Sequence, residues 1–159
     1  MSWNQVIGQK RVKELLGRAI EKRQIAHSYL FHGHEGAGQD AMAIEFARVL
    51  NCHAGRSEAC DACQSCKKGG TLHHPNIHLI FELPVGKGET KDDGPLEKLS
   101  EDQIGEVREQ ISQKAQNPYH LNEILKANFI KINSIREIRR TGAMSSFEPG
   151  PKVFIVVNA

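Results

Sequence analysis

The chain lacks the long apolar segments that membrane proteins and secreted precursors carry. No apolar run approaches the roughly 20 residues that a membrane-spanning helix needs. The first residues, MSWNQVIGQK, have neither the basic start nor the apolar stretch of a secretory signal. We therefore expect a cytoplasmic protein with no membrane partner, in a compartment where thiols stay reduced.

The chain also has little net charge and few aromatic residues. Its 21 lysines and arginines nearly balance 19 aspartates and glutamates, so the formal net charge is +2. This balance excludes a protein that coats nucleic acid through its overall charge, and also a long acidic tail. Hydrophobic residues make up 39% of 159 residues, which is enough for one globular domain with a buried core.

A glycine-rich loop between two regular elements gives the first functional signal. Residues 28–32 (SYLFH) predict a short strand, residues 41–50 have apolar positions at helical spacing, and three glycines separate them: Gly33, Gly36 and Gly38. Gly33 and Gly38 fit the phosphate-loop pattern G-x-x-x-x-G-K-[ST], but Gln39 replaces the lysine and Asp40 replaces the hydroxyl residue. A missing cation and an added anion both oppose phosphate binding, so ATP is an unlikely cofactor and we expect no catalytic residues. An ordinary strand-to-helix turn explains these residues equally well.

All four cysteines lie close together in the sequence. They follow the spacing C-x7-C-x2-C-x2-C: Cys52, Cys60, Cys63 and Cys66. Four thiolates in a short polar segment are typical of a tetrahedral, structural Zn²⁺ site, which we place in an inserted module at residues 51–70. An iron–sulfur cluster, a redox dithiol and four unrelated buried thiols are the alternatives, and nearby histidines are possible substitute ligands: His53, His73 and His74.

The remaining pattern predicts an α/β fold. Apolar runs at 77–83 and 152–159 predict two further strands, parallel to each other and to 28–32 because helical segments separate them. The run at 152–159 is almost continuously apolar, as expected for the buried centre of a parallel sheet. Residues 84–99 are rich in glycine and charge and predict a flexible loop. Ser100 and Ser134 each precede a predicted helix in capping-box spacing.

The N-terminal motifs resemble a known family. WNQVIGQ, a helix, then AHSYLFHG and a glycine loop are similar to the opening of the AAA+ clamp-loader ATPases of bacterial replication. The resemblance implies that Val6 and Ile7 lie against the adenine of a nucleotide. The alternative is that both residues only fasten the first helix to the core.

The cysteine segment, followed by His-Pro-Asn-Ile-His, resembles the zinc-bearing insertion of gamma/tau and delta-prime clamp-loader subunits. Gamma/tau members carry an intact GK[ST], whereas delta-prime members typically carry a degenerate loop, as here. The resemblance implies an AAA+ P-loop-type parallel sheet flanked by helices, in which residues 1–159 are an incomplete domain without the lid and collar domains. It also implies a non-hydrolysing subunit of the DNA polymerase III holoenzyme.

The implied partners are other clamp-loader subunits (gamma/tau and delta), with the sliding clamp and primed DNA reached through the assembled complex. Two other functions stay open: an active ATPase with an unconventional loop, and a zinc-dependent DNA-binding module.

Overall fold

The computed structural model describes residues 2–55 and 57–158. A short 3₁₀ helix, Ser2–Gln5, precedes five α-helices and two strands. In chain order these are α1 (Lys10–Glu21), α2 (Gln39–Leu50), α3 (Gln64–Gly70), β1 (Ile77–Ile80), α4 (Glu101–Gln116), α5 (Ile132–Ala143) and β2 (Val153–Val156). Arg56, within the predicted cysteine module, and Ala159, at the end of the last predicted strand, lie outside the described residues.

The two strands form a parallel pair, as the sequence predicts. Ile77 is opposite Val153 and Ile80 is opposite Val156. The prediction that the last strand lies at the buried centre of a sheet is wrong for the described residues, because β2 has an open edge on the side away from β1. Val156 is accordingly 39% exposed, while Ile155 and Val157 are buried.

The predicted strand at residues 28–32 does not form. Its backbone makes no backbone–backbone hydrogen bond within the described residues, and Leu30 is 86% exposed. The segment is instead held by side chains, since Tyr29 lies edge-on to Phe46 of α2 with ring centroids 4.9 Å apart. A cleft of about 1130 Å³ separates it from β2, so no strand lies beside it to complete a ladder.

Helix α2 is the centre of the fold because apolar side chains leave it in two directions. On one side Met42, Phe46 and Val49 pack with the N-terminal residues Trp3 and Val6, and with cysteines of the module. On the other side Ile44 and Ala47 pack against the sheet and α4, in a second core. The glycine loop, at the start of α2, and the cysteine module, after its end, are therefore fixed to one rigid element.

The two predicted capping boxes have different outcomes. The box at Ser100 is confirmed, since its side chain accepts from the Gln103 N–H and the Gln103 side chain accepts from the Ser100 N–H. The box at Ser134 is wrong, because α5 begins at Ile132 and Ser134 lies inside its first turn. The Ser134 hydroxyl is buried there without a partner in the described structure.

Residues 84–99 contain no helix or strand, which agrees with a loop, but their two ends are tied together. The buried Lys131 ammonium donates to the carbonyl oxygens of Pro84 (3.0 Å) and Pro95 (2.8 Å) and to Glu89 Oε2 (2.6 Å). Glu89 also accepts from Asn133, at 3.0 Å. The flexibility of this loop stays a prediction, and these contacts restrain it at Pro84, Glu89 and Pro95.

Candidate functional site

The glycine loop, residues 33–38, leads directly into α2. Gly36 and Gly38 have φ angles of 77° and 90°, in the left-handed region that glycine adopts without strain. Gly38 is the N-cap of α2, so the first backbone N–H groups of the helix face the loop. This loop and the helix N-terminus have the arrangement of an anion site.

Gln39 turns its side chain back into the loop. Its amide nitrogen donates to the His34 carbonyl oxygen at 3.0 Å and lies 3.4 Å from the position that a Cβ on Gly33 would take. The side chain that replaces the phosphate-loop lysine is therefore used to close the loop on itself. A neutral amide in this position supplies no charge to a phosphate.

Asp40 forms an ion pair with Lys114 of α4. The Lys114 side chain is 1% exposed and the Asp40 side chain 27% exposed. The same ammonium donates to the His120 carbonyl oxygen at 2.6 Å. The carboxylate in the first turn of α2 thus already has a cation, and the pair links the glycine loop to the end of α4.

Tyr119 covers the start of α2. A Cβ placed on Gly38 would lie 2.9 Å from both Cε1 and the hydroxyl oxygen of Tyr119, so the ring lies directly on the glycine backbone. The tyrosine hydroxyl accepts a hydrogen bond from the Ile7 N–H at 2.7 Å. Tyr119 therefore spans the space between the N-terminal segment and the glycine loop.

Val6 and Ile7 differ in their surroundings. Val6 is 2% exposed within the core, whereas the Ile7 side chain is 77% exposed. The neighbouring Gln9 donates from its side chain to the Ala37 carbonyl oxygen at 3.2 Å. The structure thus brings the predicted segment and the glycine loop together, and it places the Val6 side chain in the packing role.

Sequence reasoning did not identify Lys114 or Tyr119. A signal for Lys114 was present, because it continues the helical spacing of the apolar residues Ile104, Val107 and Ile111 and so lies on the inward face of α4. Tyr119 follows an Asn-Pro pair at a helix end, which carries no comparable signal.

The four cysteines form a compact cluster. All four sulfur atoms lie within 4.8 Å of one another, and Cys60 Sγ and Cys66 Sγ are 3.9 Å apart. Tetrahedral zinc with Zn–S bonds of about 2.3 Å places sulfurs about 3.8 Å apart. This part of the chain therefore has the donor set and spacing to hold one metal ion.

Backbone N–H groups point at the cysteine sulfurs. Cys52 Sγ accepts from the Cys60 N–H at 3.4 Å, Cys60 Sγ from the Cys63 N–H at 3.3 Å, and Cys63 Sγ from the Cys66 N–H at 3.4 Å. These bonds favour the thiolate and lower the pKa of Cys60 to about 6. Burial opposes this at Cys66, whose thiol pKa is raised.

The predicted substitute ligands do not join the described sulfur cluster. His74 instead lies 2.9 Å from the Ser65 hydroxyl and accepts from the Asn76 N–H at 3.0 Å through Nδ1. Burial lowers the pKa of His74, which favours the neutral imidazole for these two bonds. This histidine fastens α3 to the strand that follows it.

An ion pair between the buried Arg48 and the half-exposed Asp61 fastens the cysteine module to α2. Arg48 pairs with Glu45 one turn earlier in the same helix and with Asp61 Oδ1 at 2.6 Å, between two of the cysteines. Burial raises the pKa of Glu45 to about 7 in spite of this arginine. The module is therefore docked on the domain core through both charge and apolar contacts.

No helix in the described part of the chain combines the length and the hydrophobicity that crossing a membrane requires.

Comparison with known proteins matches several replication proteins. The chain is 37% identical over 81 residues to DNA polymerase III subunit delta' of Bacillus subtilis, which is 50% of this chain and 25% of that protein. It is 36% identical over 89 residues to subunit tau of the same organism, which is 55% of this chain and 15% of that protein. A match to Protein STICHEL-like 4 of Arabidopsis thaliana has 41% identity over 66 residues, which is 41% of this chain and 7% of the relative.

The matched segments cover a quarter or less of these relatives' own lengths. A family match covers much more of this chain, since residues 8–159 match the family described as "DNA polymerase III, delta subunit". The helices and small parallel sheet are consistent with an AAA+ domain. The chain belongs to this family of clamp-loader subunits.

Proposed function

We propose that the chain acts as a delta-prime-like, non-hydrolysing subunit of the DNA polymerase III clamp loader. The observation that carries this proposal is the glycine loop, in which Gln39 closes the loop and Asp40 is already paired with Lys114. ATP hydrolysis needs a lysine on the β- and γ-phosphates and a hydroxyl on Mg²⁺ at these two positions. Similarity to the delta' subunit of Bacillus subtilis supports the same assignment.

The partners proposed from this role are the gamma/tau and delta subunits, and through the assembled complex the sliding clamp and primed DNA. The contribution of this chain is mechanical, because a domain fixed by α2 presents a rigid surface to a neighbouring ATPase subunit. The degenerate nucleotide site, comprising Val6, Ile7, Gly33, Gly36, Gly38, Gln39 and Asp40, is then a structural element of that surface.

Phosphate release from MgATP tests the proposal in two settings. The purified chain alone should release no phosphate above buffer. A clamp loader assembled from delta, gamma/tau and a protein that carries this chain should load clamps with unchanged turnover when Gln39→Ala is introduced, because this side chain forms no buried ion pair. Turnover by the chain alone, or its loss from the complex with Gln39→Ala at intact assembly, contradicts the non-hydrolysing role.

An active ATPase of the gamma/tau type is the second candidate, because the chain is 36% identical to subunit tau over 89 residues. This function requires nucleotide to bind at the glycine loop with the ring of Tyr119 displaced. Phosphate release by the full-length protein that carries this chain distinguishes the two candidates.

For the cysteine cluster we propose one structural zinc ion held by Cys52, Cys60, Cys63 and Cys66. Four protein ligands leave no open position for water, so the site stabilises the module and performs no catalysis. The sulfur spacing of 3.9 Å between Cys60 and Cys66 supports a single ion, because in a [4Fe–4S] cluster each thiolate binds a different iron and the sulfurs lie further apart. Elemental analysis of protein purified without added metal tests the metal's identity.

A further inference from the structure

The segment that follows α4 lies over the glycine loop and is held there firmly. Asn117 begins a turn in which its side chain accepts from the Tyr119 N–H at 3.1 Å and its carbonyl accepts from the His120 N–H at 2.8 Å. Pro118, at the centre of the turn, is buried. The turn fixes the direction in which the Tyr119 side chain leaves the backbone.

We infer that residues 114–121 form an internal plug over the Gly38 end of the glycine loop, in which the Tyr119 ring covers the start of α2 while the rest of the cleft stays open. A phosphate-binding loop works because its glycines let an anion approach the backbone N–H groups and the helix N-terminus. The Tyr119 ring occupies this approach, since it lies against the Gly38 backbone. Its hydroxyl accepts a hydrogen bond from the Ile7 N–H, so the side chain is held by its backbone turn at one end and by Ile7 at the other.

The charges around the plug are already neutralised within the chain. The Asp40 carboxylate lies in the first turn of α2, where a negative charge interacts favourably with the helix dipole. Lys114, 1% exposed, supplies its counter-ion. An incoming phosphate has to displace this carboxylate from the helix N-terminus or lie beside it, and both cost free energy.

One ammonium couples the ion pair to the plug. Lys114 bonds both Asp40 and the carbonyl of His120, the residue next to Tyr119. Restoring the phosphate-loop residues at 39 and 40 removes one partner of this ammonium but keeps the Asn117 turn and the Ile7 hydrogen bond, which hold the ring over Gly38. The barrier to nucleotide is then a property of residues outside the phosphate-loop motif.

This inference rests on the proposed function only in treating residues 33–40 as a phosphate-loop-like segment. Turnover tests the function, whereas nucleotide affinity tests the plug. If the parent chain binds MgATP tightly without hydrolysing it, the plug is refuted and the non-hydrolysing role stands.

The experiment measures MgATP and pyrophosphate affinity by calorimetry in a series of variants of the 159-residue chain. The loop repair, Gln39→Lys with Asp40→Thr, is made in three backgrounds: with Tyr119, with Tyr119→Phe and with Tyr119→Ala. We expect less than a threefold gain in affinity in the first two, because the ring is retained. Tyr119→Ala should give at least a tenfold gain, since the approach to Gly38 is then open.

The plug is refuted if the repaired chain binds MgATP and pyrophosphate with equal affinity with and without the ring. It is also refuted if the repaired chain with Tyr119→Ala folds but binds no better than the parent. Folding is checked by cooperative unfolding of each variant. Should the alanine variant not fold, amide exchange at Ile7 decides: protection in the parent that is lost in Tyr119→Phe supports the contact. Fast exchange at Ile7 in the parent shows that the tyrosine is not held over the glycine loop.

Discussion

Replacing Asp40 by asparagine isolates the contribution of its ion pair to stability. Lys114 is 1% exposed, and without Asp40 its ammonium keeps only the carbonyl of His120 as a described partner. Leaving one charge of a buried pair uncompensated costs about 3–5 kcal/mol. Asp40 is 27% exposed and admits some water, so we expect a loss near the lower limit, about 3 kcal/mol.

The reverse substitution should cost less. Lys114→Met keeps the length of the buried stem and removes the charge, which leaves a partly exposed Asp40 carboxylate at the N-terminus of α2. The helix dipole favours a carboxylate there by about 0.3–1 kcal/mol, which offsets part of the lost attraction. We expect a loss of about 1 kcal/mol for Lys114→Met, and a similar loss for the double variant, because neither leaves a buried unpaired cation.

Urea unfolding at pH 7 measures this double-mutant cycle, which comprises the parent, both single variants and the double variant. Lys98→Met is the matched control, since its pair with Asp93 is 3.6 Å long and the lysine side chain is 42% exposed. The control should lose less than about 1 kcal/mol. Equal losses for Asp40→Asn and Lys98→Met, or a double variant that loses the sum of the single losses, refute the buried-pair reasoning.

Three further predictions concern other parts of the chain. Protein purified without added metal should contain about one zinc per chain, and Cys63→Ser should lose it and expose residues 51–70 to exchange, whereas iron with visible absorbance contradicts the assignment. Burial raises the pKa of Glu45 from 4.5 to about 7, so the folded state holds a proton that the unfolded state releases between these values, and the free energy of unfolding should fall as pH rises through that window. Glu45→Gln should flatten this fall between pH 4.5 and pH 7, and an unchanged slope contradicts the shift. Lys131→Met should increase amide exchange in residues 84–90, because it removes the ammonium that joins Pro84, Glu89 and Pro95, while Lys91→Met on the exposed part of the loop should not.

Local patterns predicted the helices well and the strands less well. The capping box at Ser100 and the apolar spacing of α1 and α2 are properties of neighbouring residues, so the sequence carries them. Residues 28–32 have strand composition, but a strand exists only where another strand pairs with it, and that depends on residues far away in the chain. Ser134 shows the same limit, since its capping spacing did not outweigh the packing that starts α5 at Ile132.

The residues of the candidate site also divide into those that a local motif predicts and those that it does not. The four cysteines were predictable because metal ligands are recognised by residue type and spacing, and the structure brings all four together. Gln39 and Asp40 were predictable as replacements in a motif. Lys114 and Tyr119 were not, because each reaches the loop from more than 70 residues away and belongs to no motif of its own.

The packing of α2 gives the chain a natural optical reporter of the proposed zinc site. Trp3 is the single tryptophan, is 8% exposed, and packs in the same apolar core as Cys52 and Cys66. The side chains of Phe46 and Val49 lie in that core as well, so Trp3 and the cysteines pack with the same residues of α2. Chelation that loosens the cysteine module should therefore change the emission of a buried indole, so that intrinsic fluorescence follows metal loss in real time without any label.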